Sequence, residues 1–278
     1  SFDQKPPAVY LVYAAAFSIF GVGPEGLHWA TGIYTLGTLV ALFALGRKLV
    51  SAEAGLAGAA VLGFLVVEPS FLGNAANTET FLMLPMVLGL LASLEAAERD
   101  SPGWAFLAGI LGTVACLFKQ VAAFNLLYCG LVVTFAGGRR VNLRQGAAIV
   151  AGALLPLLAT LGLFAAAGAL APLLDHVLWN NLGYSARQEL SEYPRAFWRT
   201  FGPSIAGSGG IYALAAAGLL LREAPAAGPS RAAGRDPRWL LLGWLVFSLL
   251  GVSVGGYYRH HYHLQAMPAV ALLAGTGA

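Results

Sequence analysis

The side chains able to move protons or hold charge are few in this sequence, and they fall in a handful of runs. The densest is Y-Y-R-H-H-Y-H-L-Q-A-M-P at 257–268. Arg259 there has the planar guanidinium that clamps a phosphate. His260 with His263, or His261 with a distant acid, has the donor chemistry of a zinc ligand pair. No acid or cysteine adjoins the three histidines, so a divalent metal is a possibility the run does not specify. The tyrosines, Tyr262 included, read equally as aromatics of a membrane interface.

A second run, S-F-D-Q-K-P-P-A-V-Y at 1–10, puts the Asp3 carboxylate and the Lys5 ammonium just before a Pro-Pro that stiffens the backbone and removes two N–H donors. An ammonium held there suits a lipid phosphate as a point charge, or simply snorkels at a helix start. A third, S-F-L-G-N-A-A-N-T-E-T-F-L-M-L at 70–84, sets Glu79 at the head of an apolar stretch beside Asn77. That acid serves either as a first-turn partner of the helix dipole or as a group that holds an acceptor or metal at the mouth of a bundle. Lys119 and Gln120 sit in a turn too short for a loop, where Lys119 reads as snorkelling, with an anion partner as the alternative. Asp175, His176, Asn180, Asn181 and Arg187 occupy the segment 172–202. Leu174, Val177, Leu178 and Leu182 recur there at helical spacing, as in an amphipathic connector lying on a membrane.

The elements that must position these groups are apolar. Of 278 residues, 58% are hydrophobic and 10% charged, against about 25% charged in a soluble domain. Uncharged stretches of about 17–25 residues can cross a bilayer as helices. This excludes a cytosolic enzyme and a disulfide scaffold, since the two cysteines, Cys116 and Cys129, lie in apolar runs. A net charge of +3 is too small to argue for nucleic acid. Apolar runs at 27–46, 52–69, 80–94, 103–118, 121–137, 146–171, 203–221, 239–256 and 264–278 predict an all-α, polytopic bundle of about nine spans, with a juxtamembrane helix at 8–21. Gly251 and Gly255 form a G-x-x-x-G that lets a neighbouring helix approach. Gly207–Gly210, G-S-G-G, lacks the strand and Lys of a phosphate loop and reads as a flexible span start.

The loops at 46–53, 95–102, 138–145 and 222–238 hold ten of the sixteen Lys and Arg, so the positive-inside rule makes them cytoplasmic. The other face then carries Asp3, Lys5, Glu79, Lys119, Arg259 and all five histidines. The expected layout is one transmembrane domain over 1–278. Residues 1–26 form an outer segment, 27–171 spans, 172–202 the outer amphipathic segment, and 203–278 spans around a cytoplasmic linker.

Four of these runs, in order, resemble the GT-C-fold bacterial membrane glycosyltransferases of family 39, the ArnT and protein-mannosyltransferase type. F-D-Q-K-P-P-A-V-Y at 2–10 is similar to that family's K-P-P or H-P-P segment. G-V-G-P-E-G-L-H-W-A at 21–30 leads into a span as it does there, with His28 where an Arg is usual. A-N-T-E-T-F-L at 76–82 resembles the second outer loop, and H-Y-H-L-Q-A-M-P at 261–268 a late H-Y-x-x-Q-x-x-P.

The resemblance implies transfer of a sugar from a polyprenyl-phosphate donor to a lipid or glycan acceptor, or to protein, at the outer face of a bacterial inner membrane. It implies Glu79 in the active site and Lys5 and Arg259 at the donor phosphate; Glu79 and Asp3 are the candidate catalytic carboxylates of this sequence. His28, Asn77, His176, Asn181, His261 and Tyr262 would line the substrate pocket, with membrane lipid as the surrounding partner. Gln4 replaces the Glu or His of some members, which weakens a metal site at that position. The family begins with a span and an acidic outer loop ahead of K-P-P, so the 278 residues are expected to be a fragment. A lipid transporter or flippase subunit is the alternative class, disfavoured by span interiors nearly free of charge. An inactive scaffold is a third.

Overall fold

The computed structural model describes residues 5–135, 141–185, 188–220 and 236–278. They form twelve α-helices and no strand among the described residues: α1 Ala8–Phe20, α2 Pro24–Leu49, α3 Ala52–Val67, α4 Thr78–Arg99, α5 Pro102–Phe118, α6 Ala123–Phe135, α7 Leu143–Ala166, α8 Leu170–Leu174, α9 Asn180–Ser185, α10 Tyr193–Leu220, α11 Pro237–Ser253 and α12 Met267–Thr276. Each apolar run of the sequence meets a helix. Four of them are long and apolar enough to cross a membrane: Pro24–Leu49, Thr78–Arg99, Leu143–Ala166 and Leu190–Leu220. Of the nine runs expected to cross, four therefore correspond to helices of full length among the described residues, and the shorter apolar helices are of 10–17 residues. At about 1.5 Å per residue the 16-residue α3 covers roughly 24 Å, short of a ~30 Å hydrocarbon core.

Local chemistry starts these helices where they start. Proline stands at the first turn of α2, α5 and α11, where its missing N–H costs nothing. Ser51 Oγ accepts from Ala54 N at 3.1 Å and Asn142 Oδ1 from Gln145 N at 3.2 Å, capping α3 and α7.

Helix α4 is the axis of the bundle. Phe81, Leu82, Met83, Val87, Leu90 and Leu94 are all buried, although Pro85 lies inside the helix. Buried apolar residues of α2 (Leu42, Leu45), α5 (Phe118), α11 (Leu241, Trp244) and α12 (Leu272, Leu273) join the same core. By contrast Leu154, Leu155, Leu158 and Leu163 of α7 are exposed, the pattern of a helix whose outer face meets lipid rather than water.

The two ends of α4 gather different chemistry. At its C-terminal end Lys48 pairs with Glu95 at 2.8 Å and with Glu98, while Gln145 and Asn142 each donate to Asp100 Oδ1 at 2.8 Å. At its N-terminal end the loop before α4, the α5–α6 junction, the segment around α9 and residues 257–263 meet. Tyr13 OH donates to Ala76 O at 2.5 Å, Gln120 Nε2 to Val177 O at 2.6 Å and Tyr257 OH to Tyr184 O at 3.1 Å.

The G-x-x-x-G expectation is half corrected. Gly251 is a close approach, since a Cβ there would lie 2.7 Å from Val121 O, but α11 ends at Ser253 and Gly255 has φ 78° outside it. The G-S-G-G run is not a span start either. It lies inside α10, which kinks at Ser208 (φ −129°, ψ 27°).

The tightest helix pair is α5–α7. Gly152 lies against the Phe106 carbonyl and Gly109 against the Ile149 carbonyl, with no room for a Cβ at either. Substituting Gly152→Val should force the helices apart and cost about 2–4 kcal/mol. The check is a lower Tm of the purified protein in detergent, with Gly162→Val, where nothing lies within 4 Å, leaving Tm in place.

Candidate active site

The first turn of α4 carries Glu79 into the protein. Asn77 is the N-cap residue, and Thr78 and Thr80 flank the acid. Thr80 Oγ1 donates to Gly73 O at 3.1 Å, which folds the preceding loop onto the helix end. Glu79 is 1% exposed. Its Oε2 accepts from Thr78 Oγ1 at 2.8 Å, and its Oε1 is ion-paired with Lys119.

Lys119 owes its place to the α5–α6 junction. The chain is extended there (φ −157°, ψ 128°) before a single 3-10 turn at Gln120–Ala122, so the side chain points across the bundle end. Its Nζ lies 3.1 Å from the centroid of the Tyr262 ring, a cation–π contact in a partly desolvated setting. The ammonium that sequence reading left snorkelling is thus turned inward, between a carboxylate and an aromatic face. Burial lowers its proton affinity, the Glu79 carboxylate opposes that, and the charges of Lys5 and Arg259 lower it further. Burial alone would raise the pKa of the Glu79 carboxyl, and the Lys119 and His261 charges with the hydrogen bonds from Lys119 and Thr78 outweigh it and hold it below the usual carboxylate range.

His261 stands in the same field. Burial lowers its pKa, with Glu79 opposing and Lys119, Arg259 and Lys5 adding to the fall; it is neutral at physiological pH. Arg259 is exposed, and its Nη2 reaches Tyr184 OH at 3.3 Å. The Tyr184 ring stacks on Tyr257, centroids 4.1 Å apart.

Beside this group lies a cavity of about 170 Å³. Lys119, Gln120, Asn181, Tyr184, Tyr262 and Gln265 supply polar atoms to its wall, and Val121, Val177, Leu178, Leu182, Val252 and Val254 supply apolar surface. A ligand with a charged head and an apolar tail matches such a lining.

The residues singled out from the sequence separate into those near this cavity and those away from it. Glu79, His261, Tyr262, Asn181, Arg259 and Lys5 belong to the cluster by contact or by charge. Asn77 donates its amide to Leu72 O at 3.1 Å and braces the loop. His176 Nδ1 lies 3.2 Å from Asn180 Nδ2 just before α9, and His28 is exposed on α2. Asp3, Gln4 and Arg187 lie outside the described residues.

His260 and His263 do not converge on a metal. His260 is exposed, with Nδ1 3.1 Å from Ser70 O. His263 is fully buried, with Nε2 3.0 Å from Thr200 Oγ1 and Phe71, Phe197 and Phe201 around its ring. No three His, Cys, Asp or Glu gather among the described residues. These two side chains do not fit a divalent cation.

Lys119 and Gln120 stood out in the sequence as polar residues in a loop-free helix junction, and of the two readings of Lys119 the anion partner is the one found. Tyr184 and Gln265 were not among the expected site residues; their partners Tyr257 and Val121 lie far along the chain and leave no local trace.

Burial pushes the His263 imidazole down to about 4, the charges of His260 and His261 adding to the effect. The unfolded value is about 6.5, so the unfolded chain binds more protons between these values. The contribution is complete above pH 6.5 and lost as pH falls towards 4, about 3 kcal/mol in all. A melting series from pH 7.5 to 4.5 should show this loss, and His263→Gln should flatten it.

No curated protein sequence matches the chain significantly. Among solved structures the fold is similar to ArnT from Cupriavidus metallidurans bound to undecaprenyl phosphate, at 17% identity and TM-score 0.64 over 99% of this chain and 50% of that one. It is also similar to the archaeal oligosaccharyltransferase AglB from Archaeoglobus fulgidus in complex with an inhibitory peptide and a dolichol-phosphate, at 14% identity and TM-score 0.54 over 99% of this chain and 42% of that one. The chain thus spans half the length of the first and less of the second, and shares the GT-C fold with both. The family model for dolichyl-phosphate-mannose-protein mannosyltransferases matches residues 4–164, more than half of the sequence and all of the segment from K-P-P through Glu79 and Lys119, and the chain belongs to that family.

Proposed function

We propose that this chain forms the membrane core of a glycosyltransferase that takes a sugar from a polyprenyl-phosphate carrier and transfers it to a lipid, polysaccharide or protein acceptor. The reaction takes place at the outer face of a bacterial inner membrane. The observation that carries this reading is the Glu79–Lys119 pair at the polar end of an apolar-walled cavity, with Arg259 and Lys5 in the same field. The apolar wall takes prenyl units and the cations meet the phosphate. The membrane-lying helices α8 and α9 cover one side at the level of the headgroups.

The anomeric carbon of such a donor already carries a good leaving group. Phosphate departs readily when cations offset its charge, so electrostatic stabilisation by Lys119, Arg259 and Lys5 dominates. A carboxylate, Glu79 or Asp3, accepts the proton of the acceptor hydroxyl as that oxygen attacks. His261, neutral and adjacent, adds hydrogen-bonding capacity without competing positive charge. Arg47, Lys48, Arg99 and Arg144, at the short loops of the opposite end, support a cytoplasmic placement of that end under the positive-inside rule.

The experiment is transfer of labelled sugar from a panel of polyprenyl-phosphate sugars by the full-length protein in nanodiscs. A covalent product with at least one donor is expected. Passage of the donor across a vesicle membrane with no covalent product would replace this reading by the transporter.

A further inference from the structure

Glu79 is shut off from the cavity by its own partner. It is 1% exposed, one oxygen is held by Thr78 and the other by Lys119. Lys119 is the one charged residue on the cavity wall among the described residues, whereas Arg259 reaches that wall through the Tyr184 hydroxyl. An ammonium has three N–H donors, and one carboxylate oxygen and one aromatic face do not use them all. The Lys119 side chain keeps 18% of its surface exposed, so it touches both the buried carboxylate and the space a ligand would fill.

We infer that the phosphate of a prenyl-linked ligand operates this pair: Lys119 turns from Glu79 to the phosphate, and Glu79 is freed to accept a proton only when the donor is in place. The inference rests on the polyprenyl-phosphate reading above and adds a regulation to it.

Two features support the exchange. A phosphate offers more negative charge and more acceptor oxygens than one carboxylate, so it competes for a single ammonium in a low-dielectric setting. The freed carboxylate also keeps the Thr78 hydroxyl bond, so it is not stranded without a donor. In the transfer the acceptor O–H proton passes to Glu79 and the acceptor oxygen bonds to the anomeric carbon. The carbon–oxygen bond to phosphate breaks with its electron pair on the phosphate oxygen, whose charge Lys119 then faces. Without a donor, Glu79 stays masked and activates no stray water in the cavity.

The test uses the full-length wild-type protein in nanodiscs. Glu79 is labelled with a hydrophobic carbodiimide, read by peptide mass spectrometry, with undecaprenyl phosphate, undecaprenol, inorganic phosphate or no addition. Labelling of Glu79 should rise by roughly an order of magnitude with undecaprenyl phosphate as its countercharge is withdrawn, and stay at the base level with undecaprenol. A rise with inorganic phosphate alone would place the trigger in the phosphate without its lipid and overturn the prenyl-linked part. Unchanged or reduced labelling while undecaprenyl phosphate binds would overturn the inference and leave the donor reading intact. Failure of undecaprenyl phosphate to bind would overturn the donor reading and the inference together. As a second measurement, Glu79→Gln/Lys119→Met should bind undecaprenyl phosphate about ten- to a hundredfold more weakly than Glu79→Gln alone, the loss of one charged hydrogen bond. Equal affinities would overturn the role given to Lys119.

Discussion

Glu79→Ala should abolish sugar transfer and destabilise the protein at once. The variant leaves the Lys119 ammonium in the bundle end with no anion beside it, and breaking a buried pair from one side costs about 3–5 kcal/mol. Lys119→Ala should do the same by stranding Glu79. The double variant Glu79→Gln/Lys119→Met removes both charges and keeps the volume filled. It should regain most of the lost Tm in detergent while remaining inactive. Recovery of stability without recovery of transfer separates the chemical role of the pair from its structural one. If the stable double variant transferred sugar at the wild-type rate, the pair would be structural alone. A fall in kcat of about 10²–10⁴ is the scale for a lost proton acceptor.

The second large effect is expected at the phosphate end. Arg259 is exposed and bonds only a tyrosine hydroxyl among the described residues, so Arg259→Ala should leave Tm nearly unchanged. A cation that faces the leaving phosphate is worth about 10²–10³ in kcat/KM. Arg259→Lys keeps the charge and loses the bidentate fork, and should recover part of that. Arg99→Ala, at the far end of α4, is the control in the same kinetic assay. Equal kcat/KM for Arg259→Ala and the wild type would remove Arg259 from the site.

How much of this was legible in the sequence varies by residue. The helices were, because lipid demands long uncharged runs whose backbone bonds are made internally, and charge-poor stretches show themselves one by one along the chain. The lengths of those helices were less so. α3 and α5 are as apolar as their neighbours, and helix length depends on where caps such as Ser51 and breaks such as the turn at Lys119 fall. The Glu79 position stood out as an acid at the head of an apolar run. Its two readings, capping and site, could not be separated there, since the distinction lies in where the carboxylate points. His263 shows the reverse. In sequence it belongs to a run of potential ligands, yet it packs into an aromatic core between Phe71, Phe197 and Phe201, while His260, at the start of the same 3-10 turn, is exposed.

The sequence by itself determined the solvent, the helical class and the rough allocation of charge to two ends, because those follow from composition and from a rule that counts residues in loops. Only the tertiary structure decided that Lys119, forty residues from Glu79, is its partner, and that Tyr262 and Asn181 share a cavity with that lysine. Pairing of buried charges is set by the packing of α4 against the α5–α6 junction and the 260–266 turn. The interaction falls off within a few ångströms of contact, so no local pattern of residues encodes it.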